Sequence, residues 1–538
     1  MSNKCYALFF THPFEEKFIA LVGNDDNVRI FRDKYLFQRF LESQQIKIVF
    51  SYGLQDVIRH LNVITPDILF CDVQIGMKLL CGRNKGRFRQ GKEPWEIKSI
   101  VDKYIEDDVR SWLNSLQNNK VSGLDEWTLG NHTLLNSLFF AFRSATDHML
   151  EELKSNEEYE RYNDVEVPIY NIFLKTEYEG IRINNDAICS LLVDLSDRYY
   201  RSIKMLELNY GFIRRIHSSL KIDDIKDIIL DDQYEELSKE ESLWDVIDHF
   251  PPEENDFLFH LANARVCYRN RRELYKYYIE EFSKIFPRFN VMGSVTGRII
   301  IERPGIQWLK KIYRHIFVPR DNKKFIYADY SQFEPGILAE LSGNDTLKSL
   351  YNYGDIYTNL SCIIFGDCKQ RDIAKKIFLS FLYGMSNENV IKNIIRISKN
   401  PSVEEQVKVF FEQFSALEVW KKNLIEKAKS VGYANSLCGN KRYINELGQT
   451  TDAENRWIPN HFIQSTASLI FKTALISISK KIPSARLLIP MHDAILLEVD
   501  SSNEDTTKQH VEKIMKKCFR QFCPSIIPKI KFQDFSQN

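Results

Sequence analysis

The sequence predicts an α+β chain built from several domains, and three observations predict it. At 538 residues it is too long to close over one hydrophobic core. Its first 155 residues alternate short apolar runs with helical patterns, the mark of a mixed α/β domain. Its last part sets apolar strand-like runs ending in carboxylates around a helical pattern, after a middle that reads as helix throughout.

Taken in order, Ala7 to Phe10, Phe18 to Val22 and Ile46 to Phe50 read as strands of the first domain. Gly82 to Lys92 (GRNKGRFRQGK) carries five cations and three glycines, and reads either as a solvated loop or as a phosphate-contacting one. Ser155 to Asp164 is charged and without aliphatic residues, a boundary. Long helical patterns follow to about Phe286, with an acidic, exposed stretch at Asp231 to Ser242 and a basic end at Arg265 to Tyr278. Strand and turn signals resume at Gly293 and continue to the end.

Composition narrows the classes. Lys plus Arg and Asp plus Glu are 73 each, so the net charge of zero speaks mildly against a nucleic-acid binder, although local clusters outweigh the sum. The 36 Phe and 25 Tyr would suit base stacking, but most such rings belong to cores. Ten scattered cysteines show no metal spacing and read as reduced thiols. The N-terminus is too quickly interrupted for a signal peptide, and no stretch approaches the ~18 apolar residues of a membrane span. A soluble, cytoplasmic protein with no membrane partner is expected.

The chemistry concentrates in three segments. Phe325 to Ala328 is an apolar, β-prone run, and Asp329 is the first charge after it. Leu487 to Ile489 and Ile495 to Val499 flank Pro-Met-His-Asp-Ala, a hairpin signal with His492 and Asp493 at the tip. Either Asp caps a helix or shapes a turn as readily as it binds a metal. Between them, Arg371, Lys375, Leu379 and Tyr383 recur every four residues and share one helical stripe, with Ile373, Ile377 and Phe381 expected on the buried side. Like charges at i and i+4 repel unless an anion sits between them, and a triphosphate is such an anion; a solvated basic face is the alternative. Two carboxylates for divalent metals and a cationic face for a polyphosphate describe a nucleotidyl-transfer site.

These segments, in this order, resemble the three motifs of the family A DNA polymerases, the bacterial DNA polymerase I type. Asp329-Tyr330-Ser331-Gln332-Phe333-Glu334 is similar to the first motif, Arg371 to Gly384 to the second, and His492-Asp493-Ala494 to the third. Further matches are Thr296-Gly297-Arg298, Arg314 before Ile316-Phe317, the stretch carrying Arg456, Asn460 and Gln464, and Ile169 to Asn184. The likeness covers about two-thirds of the chain, from near Pro168 onward, and an ordered set of weak motifs is strong.

The resemblance implies a right hand: a thumb at 165–290, a palm at 291–350 and 445–538, and fingers at 351–444. It implies a DNA-directed DNA polymerase that adds dNTPs to a primer on template DNA, in replication or repair. Two Mg²⁺ ions, or Mn²⁺ in their place, would be held by Asp329, Asp493 and the Tyr330 carbonyl. Arg371 and Lys375 would grip the triphosphate, with Lys375 also protonating pyrophosphate. Leu379, Tyr383, Glu334 and Gln332 would face the nucleotide, Glu334 closing the space of a 2′-hydroxyl. Arg298, Arg314, Gln464, His492, Arg456 and Asn460 would contact DNA.

Four departures from the family stand out: Leu379 for an aromatic ring, Gly336 for an arginine, Ala494 for a glutamate, and Asp372 with Phe378 for an Arg and an Asn. Residues 1–155 resemble in size and place an RNase H-like 3′–5′ exonuclease domain with an eroded metal site. The first strand lacks Asp-x-Glu, having Thr11 and His12 nearby, and only Asp56, Asp72 and Asp147 remain as candidate acids. Proofreading is not expected, and no 5′-nuclease domain is expected ahead. A single-subunit RNA polymerase, a non-catalytic scaffold and an exonuclease with an idle polymerase half are the competing readings.

Overall fold

A computed structural model describes residues 4–11, 18–24, 28–61, 67–82, 93–115, 132–212, 256–278, 283–382, 387–397 and 402–536. Tyr383, Gly384, His12, the acidic stretch at 231–242 and all of the cationic loop beyond Gly82 lie outside them. The chain forms two compact units. One comprises Met1–Glu179, Phe286–Gln307 and Asp321–Phe535; the other comprises Gly180–Ile285, Trp308–Arg320 and Ser536–Asn538.

The first unit begins with five strands: β1 (Lys4–Thr11), β2 (Phe18–Gly23), β3 (Val28–Phe31), β4 (Ile48–Tyr52) and β5 (Leu69–Asp72). They form one sheet in the order β3-β2-β1-β4-β5, β2 antiparallel to β1, and β1, β4 and β5 parallel. Continuous apolar runs suit β1 and β2, which are buried along almost their whole length, as covered strands require. A long helix, α1 (His132–Ser155), ends where the charged boundary was expected. A π-helical turn at Arg161–Glu166 then leads into α2 (Val167–Glu179).

The second sheet of this unit carries the chemistry. Its strands are β6 (Lys323–Ser331), β7 (Arg486–Met491), β8 (Ala494–Asp500) and β9 (Lys529–Gln533), in the order β7-β8-β6-β9 with every pairing antiparallel. Central β8 is buried along AILLEV, whereas β6 alternates, so the pattern of each strand follows its cover. Helices α5 (Phe333–Ser342), α6 (Ile356–Phe365), α7 (Arg371–Leu382), α8 (Val403–Glu412), α9 (Asp452–Lys481) and α10 (Glu504–Phe522) are among the helices of the same unit. A capping box of Thr451 and Glu454 starts α9.

Three expectations need correction. By length and hydropathy α9 could cross a membrane, against the reading that no stretch could; its apolar window is 72% buried inside the molecule, because it is a core helix. Cys362 and Cys368 are joined as a disulfide rather than held as thiols, since the end of α6 and the following turn bring their Cα atoms to 4.9 Å. The buried stripe of α7 is Ala374, Phe378 and Phe381, not Ile373, Ile377 and Phe381. Ile373 is 39% exposed, because Phe378 enters an aromatic cluster with Tyr357, Phe381 and Phe414 and sets the helix's rotation.

In the second unit, helices α3 (Asn185–Tyr210) and α4 (Asp256–Tyr275) pack together, and Asn263 donates to Ser202 at 2.7 Å. Strands Ile181–Arg182 and Lys284–Ile285 pair at their base. The helix α2 belongs to the first unit, so this unit starts at Gly180, one helix beyond the boundary expected near 165.

Candidate active site

Asp329 lies near the end of β6 and stands in register with Ala494, the first residue of β8. Asp493 directly precedes it, and the Tyr330 amide donates to the Asp493 carbonyl at 3.2 Å. The two carboxylates that sequence placed at strand ends are therefore neighbours. The β7–β8 turn is tight: the Asp493 amide donates to Met491 at 2.7 Å across His492, whose φ is +58°. A non-glycine residue held there costs roughly 1–3 kcal/mol, a kind of strain that clusters at functional turns.

Their acidity records the crowding. Burial pushes Asp493 up to about 7, with the charges of Asp329 and Glu334 adding to it and Arg298 opposing. Burial also raises Asp329 to about 6, against the pull of Lys375 and Lys531. Two repelling oxygen donors that resist ionising together fit a hard divalent cation between them. Among the described residues no group of three or more His, Cys, Asp and Glu is placed to hold a metal. Tyr330 can offer only its carbonyl, because its ring is buried and its hydroxyl donates to Met515 at 2.8 Å.

The cationic side is built on α7. Lys375 is exposed and its charge reaches Asp329. Arg371 donates through Nη2 to Asp355 at 2.8 Å and lies 5.0 Å from the centroid of the Tyr357 ring. Asp355 also accepts from Gln332 at 3.0 Å and from the Thr358 amide at 2.9 Å, capping α6. Burial pushes the Asp355 carboxyl up, but Arg371 and Thr358 together hold it below the usual range. Neither Asp355, Tyr357 nor Lys531 was singled out in sequence, although Asp355 in GDIYT carries an N-cap signal. Lys531 faces Asp329 directly across β9, a pairing no spacing reveals.

Glu334, on the first turn of α5, forms an ion pair with Arg298. Gln332 begins that helix in the left-handed region, φ +53°. His492 is exposed at the turn, and desolvation of its ring together with the Arg298 charge lowers its pKa below the usual histidine value, against Glu334. Arg456 is exposed and Asn460 and Gln464 partly so, at four-residue steps along α9. Leu379 is partly exposed on the stripe of Arg371 and Lys375. Arg314 belongs to the second unit, where its Nε donates to the Leu309 carbonyl at 3.2 Å.

Among the described residues, Asp56, Asp72 and Asp147 form no metal-holding group, although buried Asp72 feels the charge of Asp56. Asp56 pairs with Arg288, and Asp72 caps the following helix through the Gln74 amide at 2.8 Å. Asp147 accepts from the Tyr6 hydroxyl at 2.5 Å, with Lys4 and Arg143 each at 3.8 Å.

Comparison with known proteins follows this geometry. Residues 254–527 match the family model described as DNA polymerase family A. The chain is 29% identical to DNA polymerase I, thermostable, of Thermus filiformis over 255 residues, which is 44% of this chain and 30% of that protein. It is 22% identical to DNA polymerase I of Caldicellulosiruptor bescii over 548 residues, 95% of this chain and 60% of that protein. The chain thus spans less than two-thirds of the length of these relatives. Among solved structures, the POL domain of Pol1 from M. smegmatis, in complex with DNA primer-template and dNTP, superposes with a TM-score of 0.75. That likeness covers 98% of this chain and 95% of that one at 16% identity, and shows the fold.

Proposed function

Because the chain belongs to DNA polymerase family A, whose model spans half of it, we propose that it is a template-directed DNA polymerase. It would add dNTPs to a primer 3′-hydroxyl, in replication or repair. The observation that carries this reading is the juxtaposition of Asp329 and Asp493 beside the charge of Lys375. The β7-β8-β6-β9 sheet is read as the palm, α7 with its neighbours as fingers and the second unit as thumb. Primer-template and dNTP, named for the M. smegmatis neighbour, are the partners proposed here.

Two Mg²⁺ ions, or Mn²⁺, when held by Asp329, Asp493 and the Tyr330 carbonyl, would activate the primer hydroxyl and neutralise the triphosphate. The rest falls to the chain itself. Arg371, steadied by Asp355 and Tyr357, presents its guanidinium to phosphate oxygens, and exposed Lys375 offers a point charge and a proton for the leaving pyrophosphate. Glu334 blocks a ribose 2′-hydroxyl while its ion pair with Arg298 fixes both side chains. Arg298 and Gln464 would contact the minor-groove edge, where acceptors look alike in every sequence.

The N-terminal sheet order β3-β2-β1-β4-β5 supports an RNase H-like, exonuclease-type domain, and the scattered acids support its degeneration. Primer extension with Mg²⁺ on matched and 3′-mismatched primers, with dNTPs and NTPs in parallel, tests the whole reading. Extension with dNTPs that Asp329→Ala and Asp493→Ala each abolish is expected. Extension undiminished in Asp329→Ala would sink the assignment.

A further inference from the structure

Behind the candidate site, α9 and the π-helical turn before α2 enclose a buried charge network. Arg161, Glu166 and Lys472 are each 0% exposed. Arg161 Nε donates to Glu166 Oε1 at 2.7 Å, and Lys472 Nζ donates to both Glu166 oxygens, at 2.8 and 2.6 Å. Glu158, 1% exposed, accepts from the Asn440 and Lys441 amides at 2.8 Å each. Arg161 and Lys472, with buried Lys441 beside Glu158, thus surround Glu158 and Glu166 with positive charge. An apolar core of similar volume is often at least as stable, so these buried charges ask for a reason.

Three contacts of the network and its neighbours end on one segment, Met292 to Arg298, while Arg161 Nη1 also reaches Ser436 and Cys438. Lys472 Nζ lies 3.8 Å from Met292 Sδ. Asn440, whose amide Glu158 holds, donates through its side chain to the Val295 carbonyl at 3.3 Å. Ser468, one helical turn before Lys472, donates to the Gly297 carbonyl at 2.6 Å. Arg161 Nη1 reaches the Cys438 carbonyl at 3.2 Å, while its Nη2 is buried without a hydrogen-bond partner. That Nη2 would stand 3.3 Å from a Cβ on Gly297, whose φ is +76°. The guanidinium therefore packs against the backbone at the one residue that precedes Arg298, the partner of Glu334.

We propose that Arg161, Glu166 and Lys472 are positioning residues for Arg298, so that the exit of the N-terminal domain sets the geometry of nucleotide insertion. The proposal rests on the polymerase reading. Insertion depends steeply on such placement, since a shift of about 1 Å in a positioned group costs up to ~100-fold in rate. The network gives the turn that follows the N-terminal domain a role in the polymerase half: it holds the segment carrying Arg298.

A double-mutant cycle tests it. Arg161→Lys keeps the charge and removes the fork against Gly297. Single-nucleotide insertion by Arg161→Lys should fall about tenfold in kcat/KM, and in an Arg298→Ala background the same change should cost less than about twofold. A merely structural role would lower melting temperature and act equally in both backgrounds. Should Arg161→Lys not fold, Glu166→Gln with Lys472→Met removes the buried pair together and carries the same comparison. Equal effects with and without Arg298, or a folded Arg161→Lys of full activity, would overturn the coupling while leaving the polymerase reading intact. A wild-type chain that extends no primer would overturn both.

Discussion

Asp493 illustrates how a side chain of the candidate site can be costly to the fold. Its carboxyl is pushed from 3.8 up to about 7 by burial and by Asp329. Between those values the folded chain holds a proton that the unfolded chain has released, so this group's contribution to stability falls as pH rises through that window. Asp493→Asn removes the penalty. Without metal, the variant should melt higher than wild type at pH 8 and nearly equal to it at pH 4, with polymerase activity gone. Mg²⁺ should then narrow the gap by binding the wild type alone. Thermal melts across pH with EDTA and with Mg²⁺ check this, and a variant no more stable than wild type at pH 8 would contradict it. Asp355 supplies a second residue-level expectation, because it holds Arg371 through a charge-assisted bond at 2.8 Å. Asp355→Asn should raise the KM for dNTP roughly 5–10-fold, leaving primer-template affinity unchanged. A lower KM would mean that Asp355 competes with the triphosphate.

Among the elements, legibility followed the length scale of the signal. The β7–β8 hairpin with His492 and Asp493 at its tip was readable because two apolar runs bracket a turn. So were β1, β2 and β4, whose runs are continuous. The face of α7 was misread by one position, since Ile373 and Phe378 are both apolar and only the aromatic cluster around Tyr357 and Phe414 decides between them. Tertiary packing also accounts for Gly336, which departs from the family's arginine. A Cβ there would lie 2.8 Å from the Tyr351 ring and 3.1 Å from Phe519. Gly336→Ala should therefore destabilise the chain by roughly 1–3 kcal/mol despite alanine's better helix propensity. Adding Tyr351→Leu should recover part of the loss. Denaturant unfolding measures both, and a Gly336→Ala chain as stable as wild type would mean that Tyr351 yields freely.

At the scale of the molecule, the neighbouring candidate carboxylates were legible while the network behind them was not. Asp329 and Asp493 each end an apolar strand, a local pattern. Glu166 and Lys472 lie 306 positions apart and neither interrupts a pattern in a way that names its partner. The same distance hides the fate of the N-terminal acids, which decides whether this molecule edits its own errors. Excision by two metals needs several carboxylates converging on one phosphate. Here Asp56 is committed to Arg288 and Asp72 to a helix cap. Asp147 is engaged by the Tyr6 hydroxyl, with Lys4 and Arg143 supplying the positive charge that a metal would otherwise bring. A 5′-labelled primer with a mismatched 3′ end should therefore keep its length when incubated with Mg²⁺ or Mn²⁺ and no dNTP. With dNTPs present it should stall or extend from the mismatch rather than restart from a corrected terminus. Stepwise shortening that disappears in Asp147→Ala would show that these residues still assemble a nuclease, and that the cations around Asp147 give way to metal when DNA is bound.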